Sequence, residues 1–145
     1  MASESIRVTG LDRLLRVLLR SSPLAIDATR AALYQEAQVI LGKSLRQVPF
    51  HYGTLAGSGM VHDPVVAGKD IMVEISYGGP AKDRTPKKGG QEVNIGYARI
   101  QHDNLSFKHA AGRKANYLKD PVEESAKGLE QKLQRRVSAV IEGLA

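Results

Sequence analysis

The chain has 145 residues and no cysteine, which excludes disulfide bonds, thiolate catalysis and cysteine-ligated zinc sites. Hydrophobic residues make up 42% and charged residues 25% of the sequence, as in a soluble globular protein. The net charge is +6 and is spread over the chain, so no basic arm stands out. We expect one domain over residues 1–145, soluble and cytoplasmic, without a signal peptide or a membrane span.

The first part of the sequence predicts two helices. The first begins after Thr9 and carries leucines at helical spacing. The second begins at Pro23, with Ser22 as its N-cap, and runs to about Leu45 before Pro49 stops it. The inner face of this second helix is predicted to hold Leu33, Ala37, Ile40, Leu41, Ser44 and Leu45.

Strands are predicted after a glycine-rich turn at residues 50–59. Residues 60–66 and 70–77 form two candidates, joined by a hairpin at Ala67-Gly68-Lys69. In the second candidate, alternate positions are apolar or aromatic, which indicates a half-buried strand; they are Ile71, Val73, Ile75 and Tyr77. Residues 93–101 predict a third strand.

A long loop separates the second and third predicted strands. Residues 78–92 contain four glycines and two prolines but no large apolar side chain. Such a segment cannot offset its own ordering entropy by burial, so we expect a flexible loop that a neighbouring molecule orders. Its cations are candidate docking residues for a subunit or partner; they are Lys82, Arg84, Lys87 and Lys88.

The C-terminal segment predicts one helix. Asp120 is the predicted N-cap, Pro121 the first helical residue, and Glu123 the second half of a capping box. An apolar stripe then follows at steps of three and four, through Val122, Ala126, Leu129, Leu133, Val137, Val140 and Leu144. The order of elements predicts an α+β fold, with a small antiparallel sheet packed by a long N-terminal helix pair and a C-terminal helix.

The four histidines are the main candidates for catalytic or metal chemistry. They are His51, His62, His102 and His109. Their spacing matches no zinc motif, and the sequence contains no HExxH, no GxSxG and no phosphate-binding loop. We therefore expect no enzymatic activity and no cofactor, with surface or hydrogen-bonded histidines instead of metal ligands.

Three segments, in this order, resemble the phage tail-completion or head–tail joining (neck) family. The first, VPFHYGTLAGS at 48–58, follows the long helix; the second is YARIQHDN at 97–104; the third is GRKANYLKDP at 112–121. His51-Tyr52 and Ala56 depart from the family pattern, which has Asp-Thr and Arg there. The matching framework positions are Pro49, Gly53, Leu55, Ser58, Tyr97, Ala98, His102, Gly112, Tyr117, Leu118 and Pro121.

The resemblance implies a structural virion protein, assembled in the host cytoplasm. Its copies would form a six- or twelve-fold homo-oligomeric ring that joins the head or portal side to the tail. Its partners would be other neck, portal, adaptor or tail proteins, and DNA would pass through the ring without sequence-specific binding. Two candidate ring contacts are the sheet edge near residues 93–97 and the stripe of Leu129, Leu133 and Val137, with Leu133 expected to be mainly internal core.

Two other classes of function remain open from the sequence. An isoelectric point near 9.7 also fits a small basic nucleic-acid-binding protein. A metal-dependent hydrolase built on the histidines is the third reading, and the missing ligand spacing speaks against it most strongly.

Overall fold

The computed structural model describes residues 23–49, 54–67, 70–78, 102–106 and 108–143. These form helix α1 (Pro23–Gln47), the single turn α2 (Thr54–Gly57), strands β1 (Met60–Val61), β2 (Val65–Ala67), β3 (Asp70–Met72) and β4 (Ile75–Ser76), and helices α3 (Lys119–Ala126) and α4 (Leu129–Gly143). The architecture is α+β, as predicted. No helix within these ranges is long and apolar enough to span a bilayer. The predicted helix after Thr9, the predicted strand at 93–101 and the loop beyond Gly78 lie outside the described residues.

Helix α1 is the axis on which the other elements pack. Its 25 residues extend over about 37 Å, and the predicted inner face is confirmed, except that Leu45 is only partly buried. The Val48 amide still donates to the Ser44 carbonyl at 2.9 Å. Pro49 follows, and because it lacks an N–H group the helical hydrogen-bond pattern ends there.

The two predicted strands form one hairpin that is interrupted in its middle. Strand β2 pairs antiparallel with β3, with Ala67 opposite Asp70, and β1 pairs antiparallel with β4, with Met60 opposite Ser76. Between the two pairs, residues 62–64 and 73–74 are not strand. Pro64 explains the break, because it has no N–H to donate to the ladder. The antiparallel pairing of Ala67 with Asp70 agrees with the predicted hairpin, whose residues 68 and 69 lie outside the described residues.

The predicted C-terminal helix is wrong in two respects. It begins at Lys119, with Leu118 as N-cap and no side-chain capping bond, so the capping box does not form. The Asp120 carboxylate instead forms an ion pair with Lys114, because the turn at residues 116–118 already accepts the first helical amides. The helix also breaks at 127–128, where Gly128 has φ of +73°. The break shifts the apolar stripe, so Ala126 is exposed while the core positions of α4 stay buried.

The core consists of two clusters side by side along α1. The first lies at the C-terminal half of α1 and contains Ala37, Ile40, Leu41, Val48, Leu55, Ile75, Tyr77, Tyr117, Leu118 and Val122. The second lies at its N-terminal half and contains Ala28, Ala32, Leu33, Ile71, Leu129, Leu133 and Val137. Val73 packs against both clusters. The stripe proposed for a ring contact is therefore internal core, as expected for Leu133, and is not an exposed docking face.

Candidate functional site

The framework residues of the family-like motifs converge on the C-terminal half of α1. Leu55, Tyr117 and Leu118 belong to the first core cluster, and Pro49 and Pro121 are buried beside it. Segments that are distant in sequence thus meet at one place in the fold. Leu55, Leu118 and the two prolines contribute apolar packing there, and Tyr117 contributes its buried ring.

Ser58 fixes the turn that leads from α2 into the sheet. Its Oγ donates to the Leu55 carbonyl at 2.6 Å and accepts from the Gly78 amide at 2.9 Å. The first bond closes the turn, and the second ties it to the residue that follows the hairpin. A hydroxyl used as donor and acceptor in this way is a structural clamp and is not poised as a nucleophile.

Buried rings connect α1 to the segment before α3. The Tyr77 hydroxyl and Ser44 Oγ are 2.7 Å apart, and the Tyr77 ring meets Tyr117 edge-on at a centroid distance of 5.1 Å. Tyr117 meets the His102 ring edge-on at 5.0 Å. Burial raises the pKa of Tyr77 to about 12, although the hydrogen bond with Ser44 acts in the opposite direction. The hydroxyl is therefore neutral over the whole physiological range.

His102 is oriented by a contact at each ring nitrogen. Nε2 lies 3.3 Å from the Lys119 backbone amide, and Nδ1 lies 2.9 Å from Asp103 Oδ1. Because a backbone amide can only donate, Nε2 is the acceptor and Nδ1 carries the hydrogen. The His102 carbonyl accepts from the Asn116 amide at 2.7 Å. The imidazole is buried and serves the first turn of α3, so a substrate has no direct approach to it.

The segment before α3 caps the C-terminus of α1. One nitrogen of the Arg113 guanidinium, Nη1, donates to the Leu45 carbonyl at 2.7 Å and the Val48 carbonyl at 3.1 Å. The Lys114 amide donates to the Gln47 carbonyl at 2.9 Å. These donors satisfy carbonyls that the end of a helix leaves without partners, and their charge complements the helix dipole. Gly112 has φ of +78°, which lets the chain turn into this position.

A buried carboxylate joins helices α1, α3 and α4. Glu36 on α1 accepts a hydrogen bond from Ser125 Oγ on α3, and its oxygens lie 3.3 Å from Lys132 Nζ and 3.2 Å from Arg136 Nη2 on α4. Burial alone would raise the pKa of Glu36, but these three partners together hold it below its ordinary value. The carboxylate is therefore charged and fully engaged in holding α3 and α4 against α1.

Of the other histidines, His62 and His109 lie in the described part of the chain, and these two form no catalytic or metal group there. His62 Nε2 lies 2.6 Å from Ser76 Oγ, but the Ser76 hydroxyl is buried in β4 and has no open face for a substrate. His109 is half-buried, and His51 lies outside the described residues. Among the residues that the structure describes, no three His, Asp or Glu side chains lie together in a group that could hold a metal ion.

Several of the residues predicted from the sequence lie outside the described part of the chain. They are the docking cations Lys82, Arg84, Lys87 and Lys88 and the framework positions Gly53, Tyr97 and Ala98. The sequence reasoning also missed Glu36 and Arg113. For Glu36 a signal was present, because it lies three residues after Leu33 and four before Ile40 on the inner face of α1. Arg113 gave no local signal, since its acceptors are 65 and 68 residues away.

No protein-family model matches the chain, and no curated protein or solved structure is detectably similar to it. A functional conclusion therefore depends on the residues, their contacts and the motifs that they form.

Proposed function

We propose that the chain is a non-catalytic structural subunit of a tailed-phage virion, located in the neck between head and tail. In this proposal its copies assemble as a homo-oligomeric ring of six or twelve subunits that docks onto portal, adaptor or tail proteins. DNA passes through the ring without sequence-specific binding. The ring is built in the host cytoplasm and retained in the virion.

The observation that supports this proposal most directly is the role of the motif residues. All three family-like segments contribute residues that are used in packing or in internal hydrogen bonds. These residues are Leu55 and Ser58 from the first segment, His102 from the second, and Tyr117 and Leu118 from the third. Groups that serve the framework in this way make the domain rigid. A rigid domain suits a subunit whose work is docking, because binding then costs little ordering entropy.

Buried polar groups support the same reading. Glu36, Ser44, Ser125 and His102 are each held by partners on another element of the fold. A catalytic group needs an approach for its substrate, and these side chains are enclosed by protein. Their hydrogen bonds specify one arrangement of the helices.

The test is the mass of the assembled particle. We expect the purified full chain to give a mass of six or twelve subunits by light scattering or native mass spectrometry. Negative-stain images should then show closed rings with an open centre. A chain that stays monomeric at all concentrations and at low salt contradicts the proposal.

A salt titration of DNA affinity separates the neck subunit from the nucleic-acid-binding alternative. A protein that reads DNA through many phosphate contacts loses about 10³–10⁵-fold in affinity between about 50 and 200 mM salt. We expect weak binding with a shallow slope for the ring. Tight binding with a steep slope by a monomer favours the alternative.

A further inference from the structure

The β2–β3 hairpin sits at the N-terminal end of α1. Ile71 of β3 packs into the cluster that α1 forms with α4. Arg30 of α1 donates from Nη2 to the Pro64 carbonyl at 3.3 Å, just before β2. These contacts hold the inner side of the hairpin and leave its outer side to solvent.

The outer side of this hairpin is unusually apolar for an exposed strand. All three residues of β2 are exposed, Val65 by 55% and Val66 by 40%, and in β1 Met60 is exposed by 43%. A short strand at a sheet edge with exposed β-branched residues is a ready surface for another protein chain.

Three carboxylates lie on or beside this hairpin, and the nearby Arg30, which contacts the Pro64 carbonyl, is itself paired with Asp27 at 3.6 Å. Asp63, Asp70 and Glu74 are exposed, and no cation of the described ranges lies within ion-pair distance of any of them. We call Asp63, Val65, Asp70 and Glu74 the acidic end. It is acidic and apolar on a chain whose net charge is +6.

Two exposed cations lie in the last turn of α1 and on the segment attached to that end. Arg46 in its last turn and Lys108 on the adjoining segment are exposed, and neither has an ion-pair partner among the described residues. Arg113 attaches that segment to the end of the helix. We call Arg46 and Lys108 the basic end. Arg30, which contacts Pro64 beside the acidic end, and Arg46 are 16 residues apart on α1, a rise of about 24 Å along the helix.

We infer that copies of this chain associate head to tail, the acidic end of one copy docking onto the basic end of the next. Opposite charges at opposite ends of a rigid body favour this orientation, because docking of two like ends would bring like charges together. Such a contact is heterologous, and a heterologous contact closes into a ring when the rotation between copies allows it. The inference rests on the proposed function for its choice of a second copy as the partner.

Two variants, each with one end reversed in charge, test this orientation. Asp63→Lys/Asp70→Lys changes only the acidic end, and Arg46→Glu/Lys108→Glu changes only the basic end. Each variant alone should stay monomeric, with a self-association constant weakened at least about tenfold. Mixed at low salt, the two should form a dimer that does not grow, because each partner has one intact end and the intact ends are complementary. Added salt should weaken that dimer.

Matched controls carry the same change in charge on the outer face of α4 and at the helix break. Glu130→Lys/Glu142→Lys and Lys127→Glu/Arg135→Glu alter exposed side chains and should assemble like the unchanged chain. Circular dichroism checks that every variant is folded. If the double change at the acidic end lowers the folded fraction, Glu74→Lys, in the non-strand stretch before β4, replaces it.

The outcomes separate this inference from the proposed function. Rings that form normally from both reversed variants overturn the inference and leave the neck proposal standing. Monomeric variants that fail to pair when mixed also overturn it. Open head-to-tail chains of the unchanged protein that never close support the inference and contradict the ring. A protein that never associates overturns both.

Discussion

The Tyr77 hydroxyl lies 2.7 Å from Ser44 Oγ and joins the end of the hairpin to the middle of the first core cluster. Neither side chain has measurable exposure to solvent. The two hydroxyls are hydrogen-bond partners, so removal of one leaves the other without that bond in a buried place. Such a loss costs about 1–3 kcal/mol.

Tyr77→Phe should therefore lower the free energy of unfolding by about 1–3 kcal/mol in urea denaturation. Burial raises the pKa of Tyr77 from 10.0 to about 12, so the neutral hydroxyl stabilises the fold fully below pH 10. That stability is lost as the pH rises from 10 toward about 12, where the phenolate forms. In Tyr77→Phe, the free energy of unfolding should no longer fall in this pH range because of residue 77. Tyr34→Phe, at a half-exposed site of α1, is the matched control and should leave that fall in place.

Gly59→Ala should destabilise the protein by about 1–3 kcal/mol, as overpacking does in a filled core. A Cβ at this position would lie 2.8 Å from Tyr77 Cε1 and 3.0 Å from Leu41 Cδ1. Gly42→Ala is the control, because a Cβ there meets nothing within 4 Å and Gly42 lies inside α1. It should stabilise the protein by about 0.5–1 kcal/mol. If Gly59→Ala and Gly42→Ala shift the melting temperature in the same direction, this account of the Gly59 contact is contradicted.

Glu36→Gln should cost about 1–3 kcal/mol of stability at neutral pH, because Lys132 and Arg136 then lose their buried counter-charge. The lowered pKa of Glu36 gives stability that is complete above pH 4.5 and is lost as the pH falls below it. The variant should remove that acid dependence. Glu124→Gln breaks an exposed pair with Lys43 and should change stability by less than about 1 kcal/mol. Equal effects of the two changes would show that the buried network adds nothing.

Leu133→Ala should lower stability by about 2–5 kcal/mol, since this side chain is fully buried in the second cluster. Leu105→Ala is the surface counterpart, at a side chain that is 76% exposed, and should stay within about 0.5 kcal/mol of the parent. Leu133→Ala protein that remains folded should still assemble, because the stripe faces its own subunit. Loss of assembly with an intact far-ultraviolet spectrum would place Leu133 at a subunit contact instead.

The sequence predicted those features of the fold that depend on the spacing of residues close together in the chain. The bounds of α1, its inner face and the β2–β3 connection follow from periodicity, Pro23, Pro49 and a short glycine-containing turn. The breaks were not predicted, because the alternation at 70–77 continues through a gap whose cause, Pro64, lies on the opposite strand. Gly128 stands in the middle of a regular apolar stripe, and its positive φ is decided by packing on both sides.

The sequence indicated which residues meet at the candidate site, but it did not predict all of the contacts that they make there. The motif positions Leu55, Tyr117 and Leu118 do come together, yet their meeting place on α1 depends on contacts between distant segments. Asp120 shows the limit of a local rule. Its spacing before Pro121 and Glu123 is that of a cap, but Asn116 and Leu118 already serve the first amides of α3, so its carboxylate pairs with Lys114 instead.

The break at Gly128 has a consequence for the way the fold comes apart. It separates the chain's last two helices, so that α3 contributes Val122 to one core cluster and α4 contributes Leu129, Leu133 and Val137 to the other. Both clusters contain residues of α1, and Val73 packs against both. We therefore expect two cooperative units that share this helix. In hydrogen exchange, we expect α4 and the β2–β3 hairpin to open together as one unit, because Ile71 and the α4 residues share one cluster. The amides around Tyr77 and Tyr117, in the other cluster, should stay protected until the whole domain unfolds.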